Sequence, residues 1–176
     1  MKRIVRLAAS LALLVPVAAF AQAKELTTTQ VIRIKATPDK VWAYVGDFGG
    51  ISRWFPPAVE SKLVLRDRNE LGAIRQLVRR NGTRVTEKLV EYDPYNLRLT
   101  YTYVDGQVMA SDYFSTVSLK DLGNGETEVL WGGRFTRIAY WQDPPPEGQD
   151  DASVTAFFAG VYKAGLETLK KVVEEQ

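Results

Sequence analysis

The chain has 176 residues, 23 of them basic and 21 acidic, and contains neither cysteine nor histidine. The two absences exclude thiolate nucleophiles, disulfides, His/Cys metal sites and every triad that needs an imidazole. Carboxylates, Lys, Tyr, Ser and Thr remain for chemistry.

The N-terminus reads MKRIVRLAASLALLVPVAAFAQA. Lys2, Arg3 and Arg6 form a charged lead, Leu7 to Phe20 an apolar run, and Ala21-Gln22-Ala23 a small-x-small cleavage site. This pattern predicts a secretory signal over residues 1–23, and the apolar run is short for the ~20 residues of a spanning helix. Cleavage leaves 153 residues (176 less 23), a single domain over 24–176. It removes three of the 23 basic residues, so 20 face 21 acids and the net charge is −1. No global field favours nucleic acid, and the expected location is the periplasm, with no membrane span once the signal is gone.

Thr27–Ala36 alternates β-branched and polar residues and predicts a strand. Thr37-Pro38 reads as an N-cap followed by proline at the first helical position, with Asp39 in the first turn. A short helix over DKVWAYV ends at Gly46, Gly49 and Gly50, and ISRWF forms a second short turn stopped by Pro56-Pro57. Strand-like runs follow: VESKLVLR, AIRQLVRR, TRVTEKLVEY, LRLTYTYV, SDYFSTVSLK and ETEVLWGGRFTRI. Asn81-Gly82, Asp93–Asn96, Asp105-Gly106 and Gly123–Gly125 supply turns between them, which makes an antiparallel meander.

The end of the chain predicts a long amphipathic helix. Val154, Phe157, Phe158, Val161, Gly165, Leu166, Leu169, Val172 and Val173 fall near one face, and Asp150-Asp151 and Lys170-Lys171 suit its dipole. Small residues at Ala156, Ala159, Gly160, Ala164 and Gly165 allow close approach to another surface. Such a helix and a curved sheet must cover each other, giving an α+β domain of about seven strands wrapped around the C-terminal helix.

Three segments, IKATPDKVWAYVGDFGGISRWFP, VTEKLVEYDPYNLRLTYTY and TEVLWGGRF, together with this element order, resemble the START/polyketide-cyclase superfamily (SRPBCC, the helix-grip fold). The segment from Trp131 to Lys171 is similar to MxaD-like periplasmic accessory proteins of methanol oxidation, and Pro144 to Asp151 carry that match. The first resemblance implies a ligand space between the sheet and the long helix. The second implies a partner, a periplasmic quinoprotein dehydrogenase or cytochrome.

Strand parity decides what lines the space. Symmetric pairing about Asp93–Asn96 sets Tyr92 opposite Leu97 and turns Glu87 outward, whereas an odd-length turn or a bulge puts Glu87 beside Tyr101 and Tyr103. The TEKLVE segment resembles the TERLE of the superfamily's plant hormone receptors, and that likeness places Glu87 inward. In that register Tyr113 and Ser115 face in from the next strand, Trp131 from the last, and Phe157 and Val161 close the floor. An aromatic wall with few polar handles suits a small hydrophobic or amphipathic ligand. A dry void of ~300 Å³ would cost ~7 kcal/mol, so a cavity here is small, hydrated or occupied.

Three functions are consistent with these residues: a ligand binder, an accessory protein of a redox system, and a cyclase or dehydratase with Glu87 as base and Tyr113 as acid or oxyanion donor. The second would use Asp143, Glu147, Asp150 and Asp151, four acids with no basic residue between Arg137 and Lys163. Arg66 to Lys88 is the opposite, with seven basic and three acidic residues. The Pro-rich loop lacks the ligand spacing of a calcium loop and reads first as a stiff hinge. No catalytic residue, metal or cofactor is assigned, and the ligand-binding reading is preferred.

Overall fold

The computed structural model describes residues 23–175, so the expected signal segment lies outside the described residues, save for its last residue. Seven strands form one antiparallel sheet: β1 Leu26–Ile34, β2 Ala58–Leu65, β3 Ile74–Arg79, β4 Arg84–Asp93, β5 Arg98–Gly106, β6 Ala110–Asp121 and β7 Thr127–Arg137. Their order is β1-β7-β6-β5-β4-β3-β2, so the first strand closes beside the last and the meander runs outward to β2. Helix α1 (Pro38–Val45) and a 3-10 helix (Phe48–Arg53) fill the β1–β2 connection, and α2 (Asp151–Glu174) packs across the sheet. Among the described residues no helix is long and apolar enough to cross a membrane.

Helix α1 begins with proline, as its sequence predicts, but Thr37 makes no side-chain cap bond. The second short helix starts earlier than ISRWF: Gly49 and Gly50 lie inside it. Asp47 explains the shift, because its carboxylate accepts from Arg53 Nη2 at 2.7 Å and ties the turn to its own start. Helix α2 is capped by Asp150, whose carboxylate accepts from Ser153 N at 2.9 Å and Ser153 Oγ at 2.6 Å. These bonds, the hydroxyl one first, hold the Asp150 carboxyl below its ordinary range.

The core joins Ile34, Val41, Leu89, Val129, Trp131 and Phe135 to the inner face of α2. That face is Val154, Phe158, Tyr162, Gly165, Leu166, Leu169 and Val173. Relative to the face the sequence predicts, Tyr162 joins it and Phe157, Val161 and Val172 leave it; Val161 and Val172 are half-buried and Phe157 is 44% exposed. Two glycines permit the close fit. A Cβ at Gly165 would lie 2.5 Å from Trp131 Cζ3, and one at Gly133 would overlap the Tyr162 hydroxyl.

Candidate functional site

The β4–β5 register settles the parity question. Tyr92 pairs with Leu99 rather than Leu97, because Asp93 pairs with Arg98: the turn keeps its four residues but is displaced by one, to Pro94–Leu97, which moves each partner by two. Asp93 Oδ1 holds that turn, accepting from Tyr95 N at 3.1 Å and Asn96 N at 3.0 Å. A shift of two preserves parity, but a bulge at Val90 does not: Glu91 pairs with Thr100 and Leu89 with Tyr101. Leu89 is therefore buried, while Glu91 accepts from Arg98 and Thr100 on the other face. Beyond the bulge Glu87 pairs with Tyr103 and is 4% exposed.

The bulge thus turns a carboxylate inward, into a cavity of about 300 Å³ between the sheet and the N-terminal half of α2. Its walls include Tyr101, Tyr103 and Tyr113 from β5 and β6, Trp131 from β7, and Phe157, Phe158, Val161 and Tyr162 from α2. Ile51 and Phe55 close the side nearest the 3-10 helix. The rings order one another. Tyr103 stacks on Tyr113 at 4.1 Å, Tyr113 packs against Phe158 at 5.1 Å, and Trp131 stacks on Tyr162 at 5.0 Å between centroids. The Tyr113 and Tyr162 hydroxyls share a hydrogen bond of 2.9 Å.

Arg75, which sequence reasoning missed, supplies the counter-charge to Glu87. It sits opposite Glu87 on β3 and is 3% exposed. Its Nε donates to Glu87 Oε2 at 2.7 Å and its Nη1 to Phe48 O at 2.9 Å. The guanidinium also lies 4.0 Å from the Phe48 ring centroid and 4.7 Å from that of Tyr101. Buried ions need this kind of pairing, since a lone charge in an apolar space is strongly disfavoured. Arg79, two side chains further along the same face of β3, also lines the cavity and donates to Gln107 O.

Burial pushes the Tyr101 hydroxyl up to about 12, with the Glu87 charge adding to the effect. Burial raises Tyr103, Tyr113 and Tyr162 as well. These phenols keep their protons across the physiological range and act as neutral hydrogen-bonding groups.

Of the eight residues expected around a ligand, seven line this cavity: Glu87, Tyr101, Tyr103, Tyr113, Trp131, Phe157 and Val161. Ser115 does not. It is fully buried, but it accepts from Trp131 Nε1 at 2.8 Å and donates to Gly132 O at 3.3 Å, holding the indole from behind. Phe157 stands at the edge of the space rather than forming its floor, as its exposure requires.

The four acids of the Pro-rich segment divide into two pairs. Asp143 and Glu147 are exposed. Asp150 caps α2, and Asp151 accepts from Arg137 Nε at 2.9 Å and Lys24 Nζ at 3.1 Å. Arg137 also donates to the carbonyls of Ala139, Tyr140 and Gln142, so the segment is laced to β7. The expected surface of four free charges is reduced to two, beside the exposed Tyr140 and Trp141.

Comparison with known proteins agrees with this geometry. No curated protein matches the chain. Among solved structures, the protein XoxI from Bacillus cereus is similar over 84% of this chain and 95% of its own, at 26% identity and a TM-score of 0.72. A putative uncharacterized protein from Bacillus thuringiensis covers 84% of this chain and 98% of its own, at 24% identity and a TM-score of 0.71. A protein from Nitrosospira multiformis covers 82% and 94%, at 21% identity and a TM-score of 0.66. The latter two likenesses show the shared fold alone. A family model for polyketide cyclase / dehydrase and lipid transport matches residues 25–174. The strand order, the helix laid across the sheet and the cavity beneath it accord with that match, and the chain belongs to the polyketide cyclase / dehydrase and lipid transport family.

Proposed function

We propose that the protein is exported and binds a small hydrophobic or amphipathic molecule between the sheet and α2 without converting it. One observation carries this reading: an aromatic-walled cavity of about 300 Å³ that contains a single buried ion pair. An empty space of that size would cost several kcal/mol, so occupancy by a guest or by water is favoured. The charged lead, apolar run and Ala21-Gln22-Ala23 site support export.

Catalysis by Glu87 fits the geometry poorly. A general base needs a carboxylate free to take up a proton, whereas Glu87 holds the counter-charge of Arg75. Breaking a buried pair of this kind costs about 3–5 kcal/mol. The neighbouring phenol of Tyr113, raised well above its ordinary value by burial, suits hydrogen bonding rather than proton delivery.

Native mass spectrometry of the protein released from a periplasm tests the binding reading. A small molecule bound in stoichiometric amount is expected, or uptake from a panel of lipophilic probes. Val161→Trp should fill the space and abolish the adduct while the protein stays folded. A native protein that takes up none of the panel contradicts the reading.

A second reading is favoured by the exposed Trp141, 60% accessible, beside Asp143 and Glu147. An aromatic anchor with two acids on a laced segment suits a basic partner, such as the dehydrogenase or cytochrome implied by the MxaD-like resemblance. Asp143→Asn with Glu147→Gln should weaken capture of that partner, and unchanged capture removes this surface from the account.

A further inference from the structure

The two edges of the sheet differ in how they are protected. Strand β2 carries bulges at Val59 and Val64, a lysine at Lys62, and the 3-10 helix packed against it. Such features blunt an edge against pairing with another chain. Strand β1 has none of them. From Leu26 to Ile34 it pairs with β7 without a break in register, and it contains neither proline nor lysine.

Backbone direction shows which groups this edge leaves open. Leu122 N donates to Glu126 O at 3.0 Å, so the even residues of β7 bond to β6 and the odd ones between them bond to β1. The β1 partners of those odd residues are Leu26, Thr28, Gln30, Ile32 and Ile34. Thr27, Thr29, Val31 and Arg33 therefore turn their N–H and C=O groups away from the sheet. Helix α2 seals the far end, where Lys170 donates to Arg33 O and Lys35 N donates to Glu174. Over Thr27, Thr29 and Val31 no such bond is made among the described residues. A groove of about 280 Å³ lies here instead, lined by Gln30, Val31, Ile32, Lys163, Leu166 and Glu167. Toward the start of α2 the row of Glu167 and Lys163 continues as Ala159, Ala156 and Ala152, so only short side chains flank the edge there.

The strand itself decides the occupant. Centred on Thr29, an antiparallel copy of the same segment sets Glu25 opposite Arg33, Leu26 opposite Ile32, Thr27 opposite Val31 and Thr28 opposite Gln30. Opposite charges meet at both ends, and the outward backbone groups of Thr27, Thr29 and Val31 exchange about six hydrogen bonds. Within their own chain Glu25 and Arg33 make only exposed pairs, with Arg134 at 3.4 Å and Glu128 at 3.5 Å, and such pairs are worth little. Val31, 53% exposed in the single chain, is covered by Thr27 of the second copy.

We propose that two copies of this chain pair antiparallel through β1, about a two-fold axis at Thr29, and join their seven-stranded sheets into one. The contact uses the same surface on both copies, so association stops at two. Phe157 and Val161, which border the cavity, lie outside the row of α2 that runs along β1, and the seam leaves that edge open.

Sedimentation equilibrium of the protein released from a periplasm tests this over a range of micromolar concentrations, with circular dichroism to check the fold. A monomer–dimer equilibrium is expected. Thr29→Pro removes a donor that the β1–β7 ladder does not use, and should give monomer at every concentration with the fold retained. Glu25→Arg and Arg33→Glu each set like charges opposite, and each should weaken the dimer at least about tenfold. An equal mixture of those two variants restores opposite charges at both ends, so mixed dimers, told apart by native mass spectrometry, should regain most of the native affinity. The mixture decides alone should Thr29→Pro fail to fold. A native protein that stays monomeric, a dimer that ignores both charge reversals, or mixed dimers no tighter than those of either variant overturns the proposal.

Discussion

The C-terminal half of α2 is packed solid against the sheet, whereas its N-terminal half stands off it. Leu166, Leu169 and Val173 are buried, and none of them lines the cavity. The end of the helix is also bonded to β1 and the residue after it: Lys170 Nζ donates to Arg33 O at 2.7 Å, and Glu174 accepts from Lys35 N at 2.7 Å. One turn after another toward the N-terminus, Tyr162, Val161, Phe158 and Phe157 instead border open volume. Gly165 marks the change, since its missing side chain lets Trp131 approach there. The contrast shows how one helix carries two tasks. Its last turns anchor the fold, and its first turns wall the cavity.

Mutations should separate the two halves, and the largest effect is expected at the charge pair. Arg75→Ala leaves Glu87 buried without its cation and should cost about 3–5 kcal/mol in urea unfolding, while Arg75→Leu/Glu87→Leu should lie near the native value. A small loss in Arg75→Ala would mean that water reaches Glu87, and the cavity wall would not be as drawn. Next comes Leu169→Ala in the packed half, at about 2–5 kcal/mol, against less than about 1 kcal/mol for Phe157→Ala at the open edge. Equal losses at these two sites would erase the distinction between the halves.

The tyrosine cluster gives a smaller effect with a definite sign. The raised phenols, with Tyr101 at about 12, keep their protons in the folded state above pH 10, where an unfolded tyrosine loses its own. The contribution of Tyr101 to stability is complete below about pH 10 and is lost between about 10 and 12, and those of Tyr103 and Tyr113 fall with rising pH in the same direction. Chemical denaturation across that window should show stability falling with pH, with a shallower fall in Tyr101→Phe. A flat profile would mean that the ring hydroxyls are open to solvent. Smallest of all is Asp143→Asn with Glu147→Gln, expected to change stability by no more than about 0.5 kcal/mol. Asp150→Ala, by contrast, should lower the unfolding temperature, because the cap of α2 is lost.

Most of the fold was legible because its signals are local. Prolines, Asn-Gly and Asp-Pro turns and the helical spacing of the last segment placed the elements to within a few residues. The inward Glu87 was legible only through resemblance, because a bulge at Val90 is an irregularity of pairing that no local residue type announces. Arg75 was missed for a related reason. A two-residue Asn81-Gly82 turn would set it opposite Lys88. The turn instead holds three residues, closed by Arg79 N donating to Thr83 O at 2.8 Å with Gly82 at φ +80°, and this moves Glu87 into the opposite position. Ser115 shows that facing inward is not the same as touching the cavity. Parity gives direction, but the depth of each side chain depends on what stands in front of it, here Trp131 for Ser115.

Chemical-shift mapping by NMR with a neutral lipophilic probe, 2-acetylnaphthalene, tests the central claim most directly. The account predicts saturable shifts at Tyr101, Trp131 and Val161, with Leu169 and Val173 unmoved. Saturable shifts confined to the C-terminal half of α2, or none at any probe concentration, would contradict it.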